Sequence, residues 1–304
     1  MYILTPIQIT EAMLGAGTTV AEPASGETDW NSGGTYALGD LRIRSTTHRV
    51  YECVQAHTGR TALPENDPLY WKDKAPTQRH APFDLYISTA ASAATSLTYV
   101  IKAGFCTALS IYGASGSQAE ITVKDEPGGT ELLHITQSLY RDAPGLWEYL
   151  FTPARPLGKL LLTDLPIRPE LEITIILTGE TVSVGMIIVG YLQSVIEGAE
   201  WGGTEAGATA TPTTNSYIKS DGETVQIQRR GAGTDIDLSV VLPTSIADTA
   251  VLRLQDVLDV PVTVLGSKTP GFDGLNTYGL ITSASVKYQG PKISRLTAKV
   301  EGMF

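Results

Sequence analysis

Aromatic rings, rather than acids or nucleophiles, are the concentrated chemistry of this chain. Residues 29 to 71 read "DWNSGGTYALGDLRIRSTTHRVYECVQAHTGRTALPENDPLYW" and set Trp30, Tyr36, His48, Tyr51, His57, Tyr70 and Trp71 in a polar, glycine-rich background. Flat indoles and phenols stack on the apolar C–H faces of sugar rings, which makes Trp30, Tyr36, Tyr51, Tyr70 and Trp71 candidates for carbohydrate binding. A unit of roughly fifty residues, however, can build little core without its own large side chains. The two uses compete for the same rings. Core packing is the expected use for any one of them, with Trp30 and Tyr51 inside and others outside.

Elsewhere the reactive residue types are dispersed. No GxxxxGK[ST] phosphate loop, GxSxG elbow or HExxH pair occurs. His48, His57, His80 and His134 are scattered, and none has a partner at metal-ligand spacing, so surface or structural roles are expected for them. Asp125, Glu126 and Glu131 flank "EPGG", which is turn chemistry before it is a catalytic carboxylate pair. Asp235 and Asp237 in "DIDLS" could form half a calcium site, but alternate residues on an exposed strand face explain them better. Cys53 and Cys106 form neither a metal set nor a disulfide framework and suit a reducing cytoplasm, with a single Cys53–Cys106 bridge left open. No catalytic residue, metal ligand or cofactor is assigned.

The elements that must position the rings follow from patterning. "TPIQITEAMLGAG" predicts a short N-terminal helix, with Thr5 as cap, Pro6 at its first position, Gln8 closing a capping box and Gly15 ending it. Residues 16–28 read as an arm, so 1–28 form an N-terminal helix and arm that dock elsewhere, with a slight lean towards a neighbouring subunit. Residues 29–80 form the small aromatic β module, with strands at "DLRIRS" and "HRVYECVQA". Residues 81–195 run through strand after strand, from "LTYVIKA" through "WEYLFTPA" and "KLLLTDL" to "VSVGMIIVGYLQ", at the spacing of a sandwich or jelly roll.

Residues 196–304 begin with the loop-like "GGTEAGATATPTTNS" and contain the one convincing helix, "SIADTAVLRLQDVLD". Ser245 and Asp248 suggest its capping box, Ala247, Ala250, Val251, Leu254, Val257 and Leu258 its apolar stripe, and Pro261 its stop. The expected fold is mainly β, with a small aromatic-rich β module, a jelly-roll-like β-sandwich, and an α+β unit with one long helix.

Bulk properties exclude whole classes. A formal net charge of -10 with no basic stripe argues against nucleic acid. Met1 to Thr10 lacks the basic start and continuous apolar run of a secretory signal, and no stretch approaches the roughly 20 apolar residues of a membrane span.

The order "W-x5-Y-x2-GD-L-R", "HRVYECVQAHTG" and "P-x6-W" resembles the small chitin-binding module appended to bacterial chitinases, with Trp30, Tyr36, Gly39, Asp40, Tyr51, Pro64 and Trp71 at the matching positions over roughly residues 29–75. The opening "ITEAML", "APFD" before the sandwich and "MIIVGYLQSVIEGAEWG" closing it resemble tail-tip and baseplate proteins of tailed bacteriophages. "LRLQDVLDVPVTVLG", "YGLITSASVKY" and "GPKISRLTAKVEGMF" are similar to the belt domain of distal tail proteins. That resemblance implies a structural, non-enzymatic virion subunit of the tail tip, assembled in the host cytoplasm. It implies a homo-oligomeric ring of three-fold or six-fold symmetry, with neighbouring tail-tube, hub or fibre proteins as partners and no membrane insertion. The alternatives are an adhesin that grips host surface polysaccharide through the aromatic module and, less favoured, a polysaccharide depolymerase built on the sandwich. A small module holds sugar weakly, and display on a ring raises its avidity steeply.

Overall fold

The computed structural model describes residues 1–143, 145–195, 200–218, 225–258, 260–269 and 272–303. The chain is mainly β and forms two compact units: Ile7–Val189, and Met1–Pro6 together with Gly190–Phe304.

The first unit is sandwich-like. One layer is antiparallel, in the order Glu131–Ser138, Gln118–Lys124, Glu172–Thr178, Ser96–Lys102. In its two inner strands and in Ser96–Lys102 every second residue is buried, the period that places alternate side chains on one face. Leu97, Tyr99, Ile101, Ile121, Val123, Ile173, Ile175 and Leu177 line that face. Against them pack Leu109 and Ile111 of strand Ala108–Tyr112, Leu160 of its antiparallel partner Lys159–Thr163, and Ile187 and Val189. Each such side chain taken out of water contributes about 1.5–3 kcal/mol. The outer strand Glu131–Ser138 is largely exposed and mixes Leu132, Leu133 and Ile135 with Glu131, His134, Thr136, Gln137 and Ser138.

The aromatic module lies within this unit. Strands Leu41–Arg44, Arg49–Cys53 and Trp71–Pro76 form an antiparallel sheet, and Thr35–Tyr36 pairs with His57–Thr58. One face of that small sheet carries the rings.

The second unit is a curled antiparallel sheet with one helix on it. Its strands run Tyr2–Pro6, Val262–Leu265, Asn276–Tyr288, Ile293–Gly302, Val225–Pro243 and Glu200–Ile218, and Tyr2–Pro6 also pairs with residues 190–194. Helix Thr244–Gln255 buries Ala247, Ala250 and Leu254 among Val240, Leu242, Ile281, Leu296 and Ala298, three residues at the spacing of one helical face. Val257 and Leu258 extend the same apolar contact beyond the helix. In its last turn Arg253 complements the negative end of the helix and donates to the Ser194 carbonyl at 2.6 Å.

Four local expectations are corrected. Residues 2–6 form a strand, and the expected N-terminal helix reduces to the single turn Glu11–Met13. Thr5 and Pro6 therefore end a strand instead of starting a helix; two flanking strands satisfy the backbone of "YILT" better than a short helix would. The segment "WEYLFTPA" begins as helix Leu146–Phe151. "GGTEAGATATPTTNS" is strand, part of a 19-residue arm paired with Val225–Pro243. The Ser245–Asp248 capping box does not form: the helix starts directly after Pro243 with no side-chain cap, and Asp248 instead accepts a hydrogen bond from the Tyr288 hydroxyl.

Candidate functional site

The module's ring cluster forms because strand Arg49–Cys53 points Tyr51 and Cys53 to the same side as Trp71, while the short Thr35–Tyr36 pairing brings Tyr36 in beside them. Tyr36 meets Trp71 edge-on at 5.0 Å between centroids, and His57 sits 5.3 Å from Tyr36, 5.4 Å from Trp71 and 5.2 Å from Tyr70. Such tilted contacts set ring edges against π faces and add to the burial itself. Among the described residues, the indole N–H groups of Trp30 and Trp71 and both His57 nitrogens are buried with no hydrogen-bond partner.

The five candidate sugar-binding rings divide accordingly. Tyr36, Tyr51 and Trp71 are 4%, 5% and 2% exposed and offer no free face. Trp30 and Tyr70 are half-buried at the margin. The Arg60 guanidinium lies 3.7 Å over Tyr70 while its Nε donates to Asp67 at 2.9 Å, so a cation covers one face of that ring. Arg44 stands 5.3 Å from the Trp30 ring. The rings thus frame the module, and of the five only Trp30 and Tyr70 keep partial exposure.

A second constellation is assembled from four distant parts of the sequence. Glu11 and Glu22 from the N-terminal arm meet His48 from the tight turn between two module strands and His80 from the segment that follows the module. His48 holds a left-handed backbone, φ 54°, at that turn. Its Nδ1 lies 2.7 Å from Glu22 Oε2, and His80 Nε2 lies 3.0 Å from Glu11 Oε2. The two imidazoles stack at 3.9 Å between centroids. Thr77 Oγ1 donates to Glu22 Oε1 at 2.6 Å. Arg79 clamps Glu11 through Nε and Nη2 at 3.0 and 2.9 Å and donates from Nη1 to the Val20 carbonyl at 2.6 Å.

The electrostatics of this group follow from its crowding. Burial and the neighbouring His48 hold the His80 imidazole below its ordinary value, against the pull of the two glutamates. For Glu11 burial pushes upward, but the hydrogen bonds from Arg79 and His80 outweigh it and leave the carboxyl below its usual range. An ionised carboxylate only accepts, so in each contact the imidazole nitrogen facing it carries the proton and becomes a Lewis base on shifting to the other tautomer. Nothing in the sequence signals this group, because positions 11, 22, 48 and 80 share no motif spacing.

The remaining candidates are structural. Asp125 Oδ1 accepts from the backbone N–H groups of Glu126 and Thr130 at 2.9 and 2.7 Å and closes a turn, as "EPGG" suggests. Asp235 Oδ1 accepts from the Gly302 N–H at 3.0 Å across the sheet. Cys53 and Cys106 are both buried free thiols, so no bridge joins them.

Helix Leu146–Phe151 presents a different surface. Leu146, Trp147, Tyr149, Leu150 and Phe151 are all between 59% and 75% exposed, and the Trp147 and Phe151 rings lie 4.3 Å apart at one-turn spacing. Each large apolar side chain left in water forgoes about 1.5–3 kcal/mol that burial would supply.

No protein-family model matches the chain, and neither a curated protein nor a solved structure does so.

Proposed function

We propose that this chain is a structural subunit of a bacteriophage tail tip or baseplate, forming a ring at the distal end of the tail and displaying the carbohydrate-module-like domain. The reading rests on the motif order that resembles distal tail proteins. The observation that supports it best is the five-residue apolar patch on helix Leu146–Phe151, a surface whose chemistry calls for a protein neighbour. A mainly β plan with one sheet-packed helix in the C-terminal unit is in keeping with a ring-forming belt. Its partners are then further copies of itself and the adjoining tail-tube, hub or fibre proteins.

The solution mass of the purified protein, followed by low-resolution imaging, tests this reading. A closed ring is expected, and Trp147→Ser with Phe151→Ser should shift the mass towards the single chain while the fold survives. A monomer at all concentrations, alone and with the neighbouring tail proteins, overturns it.

The partial exposure of Trp30 and Tyr70 favours a second reading, an adhesin for host surface polysaccharide. Deleting residues 29–75 separates the two. Particles that assemble but adsorb poorly point to the adhesin, whereas loss of tails points to a structural module.

A further inference from the structure

We propose that Glu11, Glu22, His48 and His80 form a binding site for a divalent transition-metal cation, zinc(II) foremost, that pins the N-terminal arm to the aromatic module. Two imidazole nitrogens and two carboxylate oxygens are a donor set that borderline cations of this class accept in four-coordinate geometry. Magnesium and calcium would ask for more oxygens and no imidazole.

The four donors are already gathered, and the two imidazoles must turn out of their 3.9 Å stack to aim both in-plane lone pairs at one ion. One donor atom from each of the four side chains lies within 4.8 Å of all the others. Zinc bonds of about 2.0–2.1 Å in a tetrahedron place donors about 3.4 Å apart. The widest pair therefore has to close by at most about 1.4 Å, which side-chain torsions shared between two residues can supply. Two donor pairs, His48–Glu22 at 2.7 Å and His80–Glu11 at 3.0 Å, are already nearer than that spacing and would open slightly as the cation takes the place of the hydrogen-bonding proton, which moves to the other ring nitrogen.

The surrounding shell is of the kind that orients ligands. Thr77, fully buried, holds Glu22 Oε1 and leaves Oε2 turned towards the imidazoles. Arg79 fixes the plane of the Glu11 carboxylate through both oxygens, and the second lone pair of Oε2 faces His80 Nε2. With neutral imidazoles the two glutamates and Arg79 sum to one negative charge, so a divalent cation enters a site of opposite sign. Arg79 also repels that cation, which tunes the affinity down without altering the donor set.

Such a cation would staple four parts of the chain: residues 11 and 22 on the arm, 48 inside the module and 80 at its end. Binding to the folded chain and not to the unfolded one adds stability by mass action.

The test uses the untagged full chain, stripped with EDTA. Calorimetric titration with zinc chloride should show saturable binding of about one equivalent, with a rise in melting temperature that EDTA reverses. Cobalt(II) should give the visible absorption bands of a four-coordinate ion. Glu22→Gln and His48→Asn, checked for native fold by circular dichroism, should weaken zinc at least about 100-fold. His134→Gln, outside the cluster, should not. Absence of saturable zinc binding by the wild-type chain, absence of the cobalt bands, or unchanged zinc affinity in folded Glu22→Gln overturns the proposal. Because the wild-type cobalt spectrum decides alone, misfolding of a variant does not shelter it.

Discussion

The hydroxyl of Tyr36 answers both backbone groups of Asn31, accepting from its N–H and donating to its carbonyl, each at 2.7 Å. One phenol thereby closes the turn that leads into the aromatic module, while its ring packs on Trp71. Tyr36→Phe keeps the ring and removes the clasp. The loss should cost about 1–2 kcal/mol, the lower part of the range for orphaned backbone groups, because Asn31 is exposed enough for water to substitute. Faster hydrogen exchange at the Asn31 amide, with the rest of the module unchanged, is the direct readout.

Gly190 sits where strand Tyr2–Pro6 pairs with the chain leaving the sandwich, opposite Pro6. A Cβ at this position would run into the Thr5 carbonyl oxygen and the backbone behind it, which cannot swing aside as a side chain can. Gly190→Ala should therefore destabilise by about 1–3 kcal/mol, the usual cost of overpacking. Gly207→Ala, where an added Cβ meets open space, should stay within about 0.5 kcal/mol of wild type. Thermal unfolding of the two variants side by side checks the contrast.

Cys106 is fully buried, and burial pushes its thiol from the ordinary 9.0 up to about 12. The folded chain thus favours the protonated thiol more than the unfolded chain does. That contribution to stability is complete below pH 9.0 and is lost as pH rises from there towards 12. Iodoacetamide at about pH 8 should leave Cys106 of the native protein unlabelled and modify it fully once guanidinium unfolds the chain. Peptide mass mapping separates it from Cys53.

What the sequence discloses and what it hides follow the range of the interactions. Helix Thr244–Gln255 was legible because Ala247, Ala250 and Leu254 repeat locally and their period needs no knowledge of the sheet they meet. β-Branched and aromatic runs between Gly, Pro and Asp likewise disclosed Ser96–Lys102 and Glu172–Thr178. Tyr2–Pro6 was hidden because both its partners lie more than 180 residues away, at 190–194 and 262–265, while Thr5-Pro6 imitates a helix start. Glu200–Ile218 was hidden because its Gly, Ala and Thr residues carry turn chemistry, and only cross-strand backbone bonds make them a ladder. The ring cluster was legible as a group within one short segment. Which ring would be covered was not, since that depends on the sheet face each strand presents. Glu11, Glu22, His48 and His80 meet only through the fold.

The helix on the second sheet offers the sharpest contrast between neighbouring side chains of one type. Leu254 is fully buried among Ile281, Leu296 and Ala298, whereas Leu252, two residues earlier, is 61% exposed. Residues two apart on a helix point about 200° from each other, so the same truncation samples core and solvent. Leu254→Ala removes buried methyl groups and leaves a cavity that the rigid sheet cannot fill, which should cost about 2–5 kcal/mol. Leu252→Ala loses no packed contact and exchanges one good helix former for a better one, so its effect should stay within about 0.5 kcal/mol. Because the chain has two compact units, hydrogen exchange of the helix and of strands Asn276–Tyr288 and Ile293–Gly302 is the appropriate measurement. Equal protection in the two variants would mean that Leu254 does not anchor the helix to its sheet.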